Sequence, residues 1–227
     1  MNNLSTNTKE YWNDEYNKAS HIYGLEPSKT ALEAVELLLK KNLKRANKKL
    51  ELLEIGGGYG RNAIYFNKMG INVSVVDFSD VAIKQGRKLN HVSRCSVEFI
   101  EEDIKKLKKI FKKKRFDVIF CNFCMHLISK KNRECIYEQI RYVLKPHGFF
   151  IASYLSINDP DYLDNKRIDD QTRVVRNKSQ HFFTKPEIER ELQKNFFILK
   201  IKESNDPEKI INCLRNTSYF FVVGSKR

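Results

Sequence analysis

The sequence lacks any long hydrophobic run. No apolar stretch approaches the roughly 18 residues that a membrane span requires, so no membrane crossing is expected. The opening "MNNLSTNTKEYW" has neither the basic start nor the apolar stretch of a secretory signal, and the expected location is cytoplasmic. Cysteine is scarce, odd in number and scattered (Cys95, Cys121, Cys124, Cys135, Cys213), which argues against a disulfide framework. Cys121 and Cys124 form one C-x-x-C with no second pair to complete a zinc site, so no metal centre is expected. No Gly-Lys-Ser/Thr follows the glycine-rich stretch, which excludes a P-loop. There are no internal repeats and no interdomain linker, and 227 residues suit one domain with a lid or insert.

What the chain has in excess is lysine. The net charge is +14, with clusters at Lys40–Lys49 and Lys105–Arg115. Such clusters could hold nucleic-acid phosphates, and an RNA or peptide partner stays open. It is not favoured, because aromatics do not interleave with the lysines as a stacking platform requires. In the second cluster Leu107, Ile110 and Phe111 keep helical spacing, which predicts a surface helix with a charged outer face.

Along the chain, residues 1–28 are polar with aromatics at Tyr11, Trp12, Tyr16 and Tyr23, and form an N-terminal lid segment. Pro27 and Ser28 introduce a helix over 29–46. Strand and helix then alternate: "LELLEI", a helix at 61–69 ended by Gly70, "INVSVVD", a helix at 81–89, "SVEFIEED", the lysine helix, "FDVIFCNF", a helix at 131–144 and "GFFIASYL". Nearly all these strands are apolar throughout, the pattern of a parallel sheet covered on both faces. The core therefore runs over 29–155. Residues 156–183 interrupt the rhythm with a polar, irregular insert on the substrate side. Over 184–227 it resumes with a helix capped by Thr184 and the strands "FFILKIKES" and "SYFFVVGSKR", making seven strands. The fold class is α/β, doubly wound and Rossmann-like.

Four of the nine glycines lie within five residues, between a strand and a helix, in "LLEIGGGYGRNA". Such a turn holds a nucleoside, and Asp77 at the end of the next strand suits the ribose hydroxyls of any of them. Gly58-x-Gly60-x-x-Ala63 can be fitted to a dinucleotide pattern, leaving an NAD-dependent oxidoreductase open. Glu54 discriminates, in the spacing Glu54-x-Gly56-x-Gly58-x-Gly60. An acidic neighbour opposes a pyrophosphate at a helix N-terminus but suits the sulfonium and ammonium of S-adenosylmethionine, directly or by bracing the loop. The glycines let the backbone approach closely without a Cβ in the way.

The stretch from Leu52 to Leu89 resembles the first motif and second strand of the class I S-adenosylmethionine-dependent methyltransferases. "IEEDIKKL", "FDVIFCNFCMHLI" and "LKPHGFFIASY" follow in the family's order, with His147 where the family usually has glycine. "YWNDEYNKASHIYGLEPS" and "GRNA" resemble the small tellurite-resistance and thiol methyltransferases, in which an N-terminal aromatic segment folds over the cofactor. The resemblance implies an antiparallel last strand and S-adenosylhomocysteine as product. It implies cofactor contacts from Glu54, Gly56, Gly58, Gly60, Asp77 and Phe78, with Asp103 and Ile104 at the adenine and Asn122 after the fourth strand. Arg61 would hold either the lid or the cofactor carboxylate. His126 is the candidate base or substrate orienter, and Tyr16, Tyr23 and Trp12 would wall the methyl pocket. The acceptor expected is a small molecule, methylated at N, O or S by a monomer or homodimer. A binding module that has merely kept the fold remains the non-enzymatic alternative.

Overall fold

The structure is a computed structural model that describes residues 8–40, 49–210 and 213–227, with side chains described in all of these except 206–215. Seven strands form one sheet in the order β3-β2-β1-β4-β5-β10-β9. They are β1 (Glu51–Ile55), β2 (Asn72–Asp77), β3 (Glu98–Glu101), β4 (Phe116–Cys121), β5 (Leu144–Leu155), β9 (Phe196–Ile210) and β10 (Cys213–Lys226). β1 to β5 are mutually parallel, while β10 runs antiparallel to both neighbours, β5 and β9. This is the doubly wound α/β architecture that the apolar strand pattern predicts, with the implied antiparallel last strand.

The strands are apolar throughout because helices cover both faces. On one face α2 (Lys29–Lys40), α3 (Arg61–Lys68) and α4 (Asp80–Val92) bury Ala34, Leu38, Phe66 and Ile83 against Val75, Phe120 and Ile151. On the other, α5 (Leu107–Ile110), α6 (Lys130–Val143) and α8 (Lys185–Leu192) bury Leu107, Ile136, Ile140 and Leu192 against Leu53, Ile119 and Phe150. Ring contacts seal both layers, Phe66 to Phe120 at 5.0 Å and Phe150 to Phe196 at 5.3 Å. The helix expected over 29–46 is described only to Lys40, and most of the first lysine cluster lies outside the described residues.

Several local expectations are corrected. The N-terminal segment contains a helix, α1 (Lys9–Lys18), capped by Thr8, whose hydroxyl accepts from Tyr11 N at 3.2 Å. The second lysine cluster makes only a 3-10 turn at Ile104–Lys106 and the four-residue α5. Phe111 leaves the helical region, and Arg115 Nη1 caps the run by donating to the carbonyls of Phe111, Lys112 and Lys114. His147 has φ +58°, the left-handed region that explains a glycine preference there; a side chain costs about 1–2 kcal/mol. The insert is not irregular. It holds α7 (Pro160–Asp164) and a three-stranded antiparallel sheet of β6 (Lys166–Arg167), β7 (Thr172–Val175) and β8 (Lys178–His181). β9 and β10 also extend past the apolar runs into polar residues around Pro207, which an edge strand tolerates because a donor there is not needed.

The insert and α8 are tied to α6 by a buried ion cluster. Arg133, almost wholly buried, donates to both oxygens of Glu191 (Nε 3.0 Å, Nη2 2.6 Å) and to the Ile128 carbonyl at 2.8 Å. Burial alone would lower its pKa, but Glu191 outweighs that and holds it above the ordinary value. Glu187 joins from the same helix and binds His181 Nε2 at 2.7 Å and Gln171 Nε2 at 2.7 Å. Removing the arginine strands two carboxylates in a low-dielectric interior. Arg133→Met is therefore expected to cost about 3–5 kcal/mol, read as a lower urea midpoint at unchanged slope. A loss under about 1 kcal/mol would show that the cluster is solvated.

Candidate functional site

The loop between β1 and α3 alternates left-handed residues, with φ +62° at Gly56, +56° at Gly58 and +76° at Gly60. That alternation is the physical content of the Gly-x-Gly-x-Gly spacing, since a Cβ is disfavoured at every second position. Space is equally tight: a Cβ on Gly56 would sit 2.6 Å from Cys124 Sγ, and one on Gly58 would run into the Tyr16 hydroxyl. Asp77 clips the loop, its Oδ2 accepting from Gly58 N at 2.8 Å and its Oδ1 from Ser79 N at 2.9 Å. Burial raises the Asp77 pKa despite these bonds.

Glu54, the penultimate residue of β1, is buried inside the protein, 1% exposed. Oε1 accepts from Asn62 Nδ2 at 3.1 Å, whereas Oε2 has no hydrogen-bond partner among the described residues. Burial pushes its pKa up to about 7, against the opposing pull of Asn62 and Arg61. Asn62 in turn accepts from Ser28 N at 2.9 Å, so one amide links the loop carboxylate to the start of α2.

A cavity of about 150 Å³ opens above this loop at the carboxyl ends of β1, β2 and β4. That is where ligands bind in open α/β sheets. Its floor includes Glu54, Gly56, Asp77 and Phe78. The turn after β4 adds Asn122, Cys124 and His126. Ser153 Oγ accepts from Phe123 N at 2.9 Å and donates to Asn122 Oδ1 at 3.0 Å, leaving the Asn122 NH2 as the end that can donate to a ligand. Phe123 adopts φ +46°, a strained conformation. His126 is buried, with its ring edge-on to Phe123 at 6.3 Å.

Two segments meet over the cavity. From α1, Trp12 and Tyr16 are spaced i, i+4 and both face inward. The helix is anchored on α4 by Asn13, which donates to Asp80 and accepts from Ser79, and by Gln85, which donates to Tyr16 O at 2.7 Å. From the β7–β8 hairpin come Arg176, Lys178 and Gln180. The two meet where Tyr11 donates to Arg176 O at 3.2 Å and Lys178 Nζ lies 4.6 Å from the Trp12 ring centre.

Of the residues expected at the site, Glu54, Gly56, Arg61, Asp77, Phe78, Asn122, His126, Tyr16 and Tyr23 line the cavity. Arg61 Nη1 donates to Tyr23 O at 2.6 Å and its guanidinium lies 5.6 Å from the Tyr23 ring centre, so it holds the N-terminal segment and occupies one face of that ring. Gly58 and Gly60 shape the loop without lining the cavity. Asp103 and Ile104 stand outside it too. Asp103 caps the 3-10 turn through Lys105 N at 2.8 Å and pairs with Lys105 Nζ at 3.2 Å, while Ile104 is buried in the core. Burial holds the Tyr16 hydroxyl well above its ordinary pKa, so it stays protonated and forms wall rather than base. Sequence reasoning missed Tyr59, whose hydroxyl donates to Gly24 O at 2.6 Å and accepts from Tyr23 N at 3.1 Å. It also missed the hairpin side chains. A tyrosine between two loop glycines was the available signal for the first; nothing local marked the second.

Residues 52–148 match the family model described as a methyltransferase domain, and the sheet has the class I Rossmann-like fold. No curated protein matches the sequence. Among solved structures, the chain is similar to 1,6-didemethyltoxoflavin-N1-methyltransferase of Burkholderia thailandensis, at 19% identity and TM-score 0.70. The alignment covers 96% of this chain and 86% of that one. An S-adenosylmethionine-dependent methyltransferase of Methanosarcina mazei is similar at 19% identity and TM-score 0.68 over 83% and 96%. TehB of Haemophilus influenzae is similar at 13% identity and TM-score 0.63 over 96% and 67%. Likenesses at such identities establish the fold. Among the described residues no helix is long and apolar enough to cross a membrane.

The Arg61 contact is testable without any ligand. Arg61→Met removes a charged donor from the Tyr23 carbonyl, and amide exchange across residues 20–28 is expected to accelerate about tenfold or more. Rates in the β1–β5 core should stay as they were; acceleration spread evenly over the chain would contradict a local clasp.

Proposed function

We propose that this domain transfers a methyl group from S-adenosylmethionine to a nucleophilic nitrogen, oxygen or sulfur of a small molecule. The observation that carries the reading is the buried Oε2 of Glu54, which has no hydrogen-bond partner among the described residues and belongs to a carboxylate lining the cavity. A buried, half-satisfied carboxylate beside a glycine cradle fits a ligand bearing a positive charge. A pyrophosphate at the same place would meet like charge from Glu54 and Asp77.

When bound, S-adenosylmethionine supplies a methyl carried on a sulfonium, displaced in line with the C–S electron pair returning to sulfur, so that S-adenosylhomocysteine leaves neutral at that atom. The protein's share is to hold, orient and exclude water. In this reading Glu54 receives the cofactor's ammonium. Asp77 keeps its two backbone bonds and accepts ribose hydroxyls on the remaining lone pairs, with Phe78 beside it. The NH2 of Asn122 donates toward either substrate. His126 takes the proton from an acceptor that arrives as a hydroxyl or ammonium. Trp12, Tyr16, Tyr59 and the β7–β8 hairpin roof the cavity, which favours a small acceptor over a polymer and gives residues 8–28 and 156–183 the role of lids; residues 1–7 of the expected lid segment lie outside the described residues.

The pH dependence follows from Glu54. Its folded pKa, about 7, stands above the ordinary carboxylate value, so its burial costs stability as pH rises from about 4.5 through 7. A bound cation offsets that cost by favouring the carboxylate, and binding below about pH 7 must release a proton. Calorimetry with S-adenosylhomocysteine is therefore expected to give affinity that climbs between about pH 6 and 7.5 and then levels. Glu54→Gln should weaken binding and flatten the profile. Absence of S-adenosylhomocysteine binding together with firm NADH binding would overturn the reading.

A further inference from the structure

The two ends of the cavity differ in charge. Its only lining carboxylates among the described residues are Glu54 and Asp77, both on the floor at the ends of β1 and β2. The opposite end is bounded by the β7–β8 hairpin and by Thr217 of β10, and carries cations and neutral donors. β8 alternates buried and half-buried residues, and its buried positions are Lys178 (9% exposed) and Gln180 (5%). A strand turns apolar residues inward when it merely packs; here the inward face is polar. The Gln180 amide and the hydroxyl of Thr217, 3% exposed, add neutral polar groups to this lining. An inward face built of such groups suits a polar ligand better than an apolar one. Lys178 is steadied from one side by the Trp12 ring.

The hairpin places a second cation at some cost. Val175 pairs with Lys178, so Arg176 and Asn177 make a two-residue turn, with φ +51° and +61°. Such a turn prefers glycine or asparagine at both positions, and an arginine at the first is strained. Arg176 nonetheless stands there and lines the cavity.

We infer that the hairpin end of the cavity is an oxyanion subsite, and that the methyl acceptor carries a carboxylate or similar small oxyanion received by Lys178, Arg176 and Gln180. The inference rests on the reading above only in naming the ligand an acceptor; the subsite itself is independent of the cofactor. The separation of charge also sorts the two substrates. An anionic acceptor is repelled by Glu54 and Asp77 and drawn to the hairpin, so it enters in one orientation.

Trp12 is the sole tryptophan and lines the cavity, so its fluorescence reports binding there. The full chain would be titrated with benzoate, benzenesulfonate and phenyl phosphate against neutral benzamide, with and without saturating S-adenosylhomocysteine. At least one anion is expected to bind about tenfold or more tightly than benzamide. Lys178→Met should reduce that preference about tenfold, and Lys178→Arg should restore most of it, with S-adenosylhomocysteine affinity retained in both. Thermal melts would confirm that each variant folds. The subsite is refuted if no anion is preferred over benzamide, or if Lys178→Met leaves the preference intact. It is equally refuted if the variant loses S-adenosylhomocysteine affinity instead, which would assign the lysine to the cofactor. Anion preference in a wild-type protein that binds no S-adenosylhomocysteine would uphold the subsite and sink the methyl donor, so the two failures are separable.

Discussion

The bond from Gly58 N to the Asp77 carboxylate holds together the part of the molecule on which the cavity depends. It joins the end of β2 to a loop that contains three left-handed glycines, and glycine is the residue that resists ordering most. The same carboxylate accepts from Ser79 N, and Ser79 caps α4 through Ala82 N at 3.1 Å. One buried acid thus sets the loop, the start of α4 and the height of the cavity floor. Burial raises its pKa, while the backbone donors facing it pull the other way and favour the carboxylate as an acceptor.

From that loop the order spreads upward. α3 starts at Arg61, immediately beyond Gly60, and its first turn faces the N-terminal segment. Arg61 grips the Tyr23 carbonyl, Asn62 joins Ser28 to Glu54, and the Tyr59 hydroxyl ties Gly24 and Tyr23. These bonds reach carbonyls and amides that a non-helical connector would otherwise leave to water. α1 is fastened separately, to Ser79, Asp80 and Gln85 on α4. The covering segment is therefore held at both ends by the element that the glycine loop and Asp77 position, and its aromatic face has one place to go.

The second cover is held from below by ions rather than by apolar area. The hairpin's own apolar cluster is small, built on Leu155, Val175 and Phe182. Its base is secured by Gln171 and His181 on Glu187, which shares Arg133 with Glu191. Burial would raise the Glu187 pKa, but His181 and Arg133 outweigh it and hold the carboxylate below its ordinary value. A polar base of this kind specifies geometry without demanding a hydrophobic inner face, so the residues on that face need not be apolar. The polar lining at Lys178 and Gln180 is compatible with folding for that reason.

How much of this was legible beforehand follows the range of the forces involved. The alternation of apolar runs and helical patterns determined the sheet and its two covered faces, because burial on both sides is written into every strand. The glycine spacing and the carboxylates at Glu54 and Asp77 were visible because a left-handed turn and a strand end are local events. Asp103 stands apart from the cavity and caps the 3-10 turn through Lys105 two residues on, a contact its spacing after the third strand did not announce. Residues 156–183 read as irregular because a two-stranded pairing of four residues each carries little apolar signal, and Arg176 and Asn177 are poor advertisements for a tight turn. The sequence by itself determined the layers, the loop and the acids that line the cavity floor. Only the tertiary structure decided that α1 and the β7–β8 hairpin meet above them and that the cavity's far wall is cationic. Those contacts join residues more than a hundred and sixty positions apart in the chain, such as Tyr11 and Arg176, and no local pattern encodes which distant surface a polar hairpin will cover.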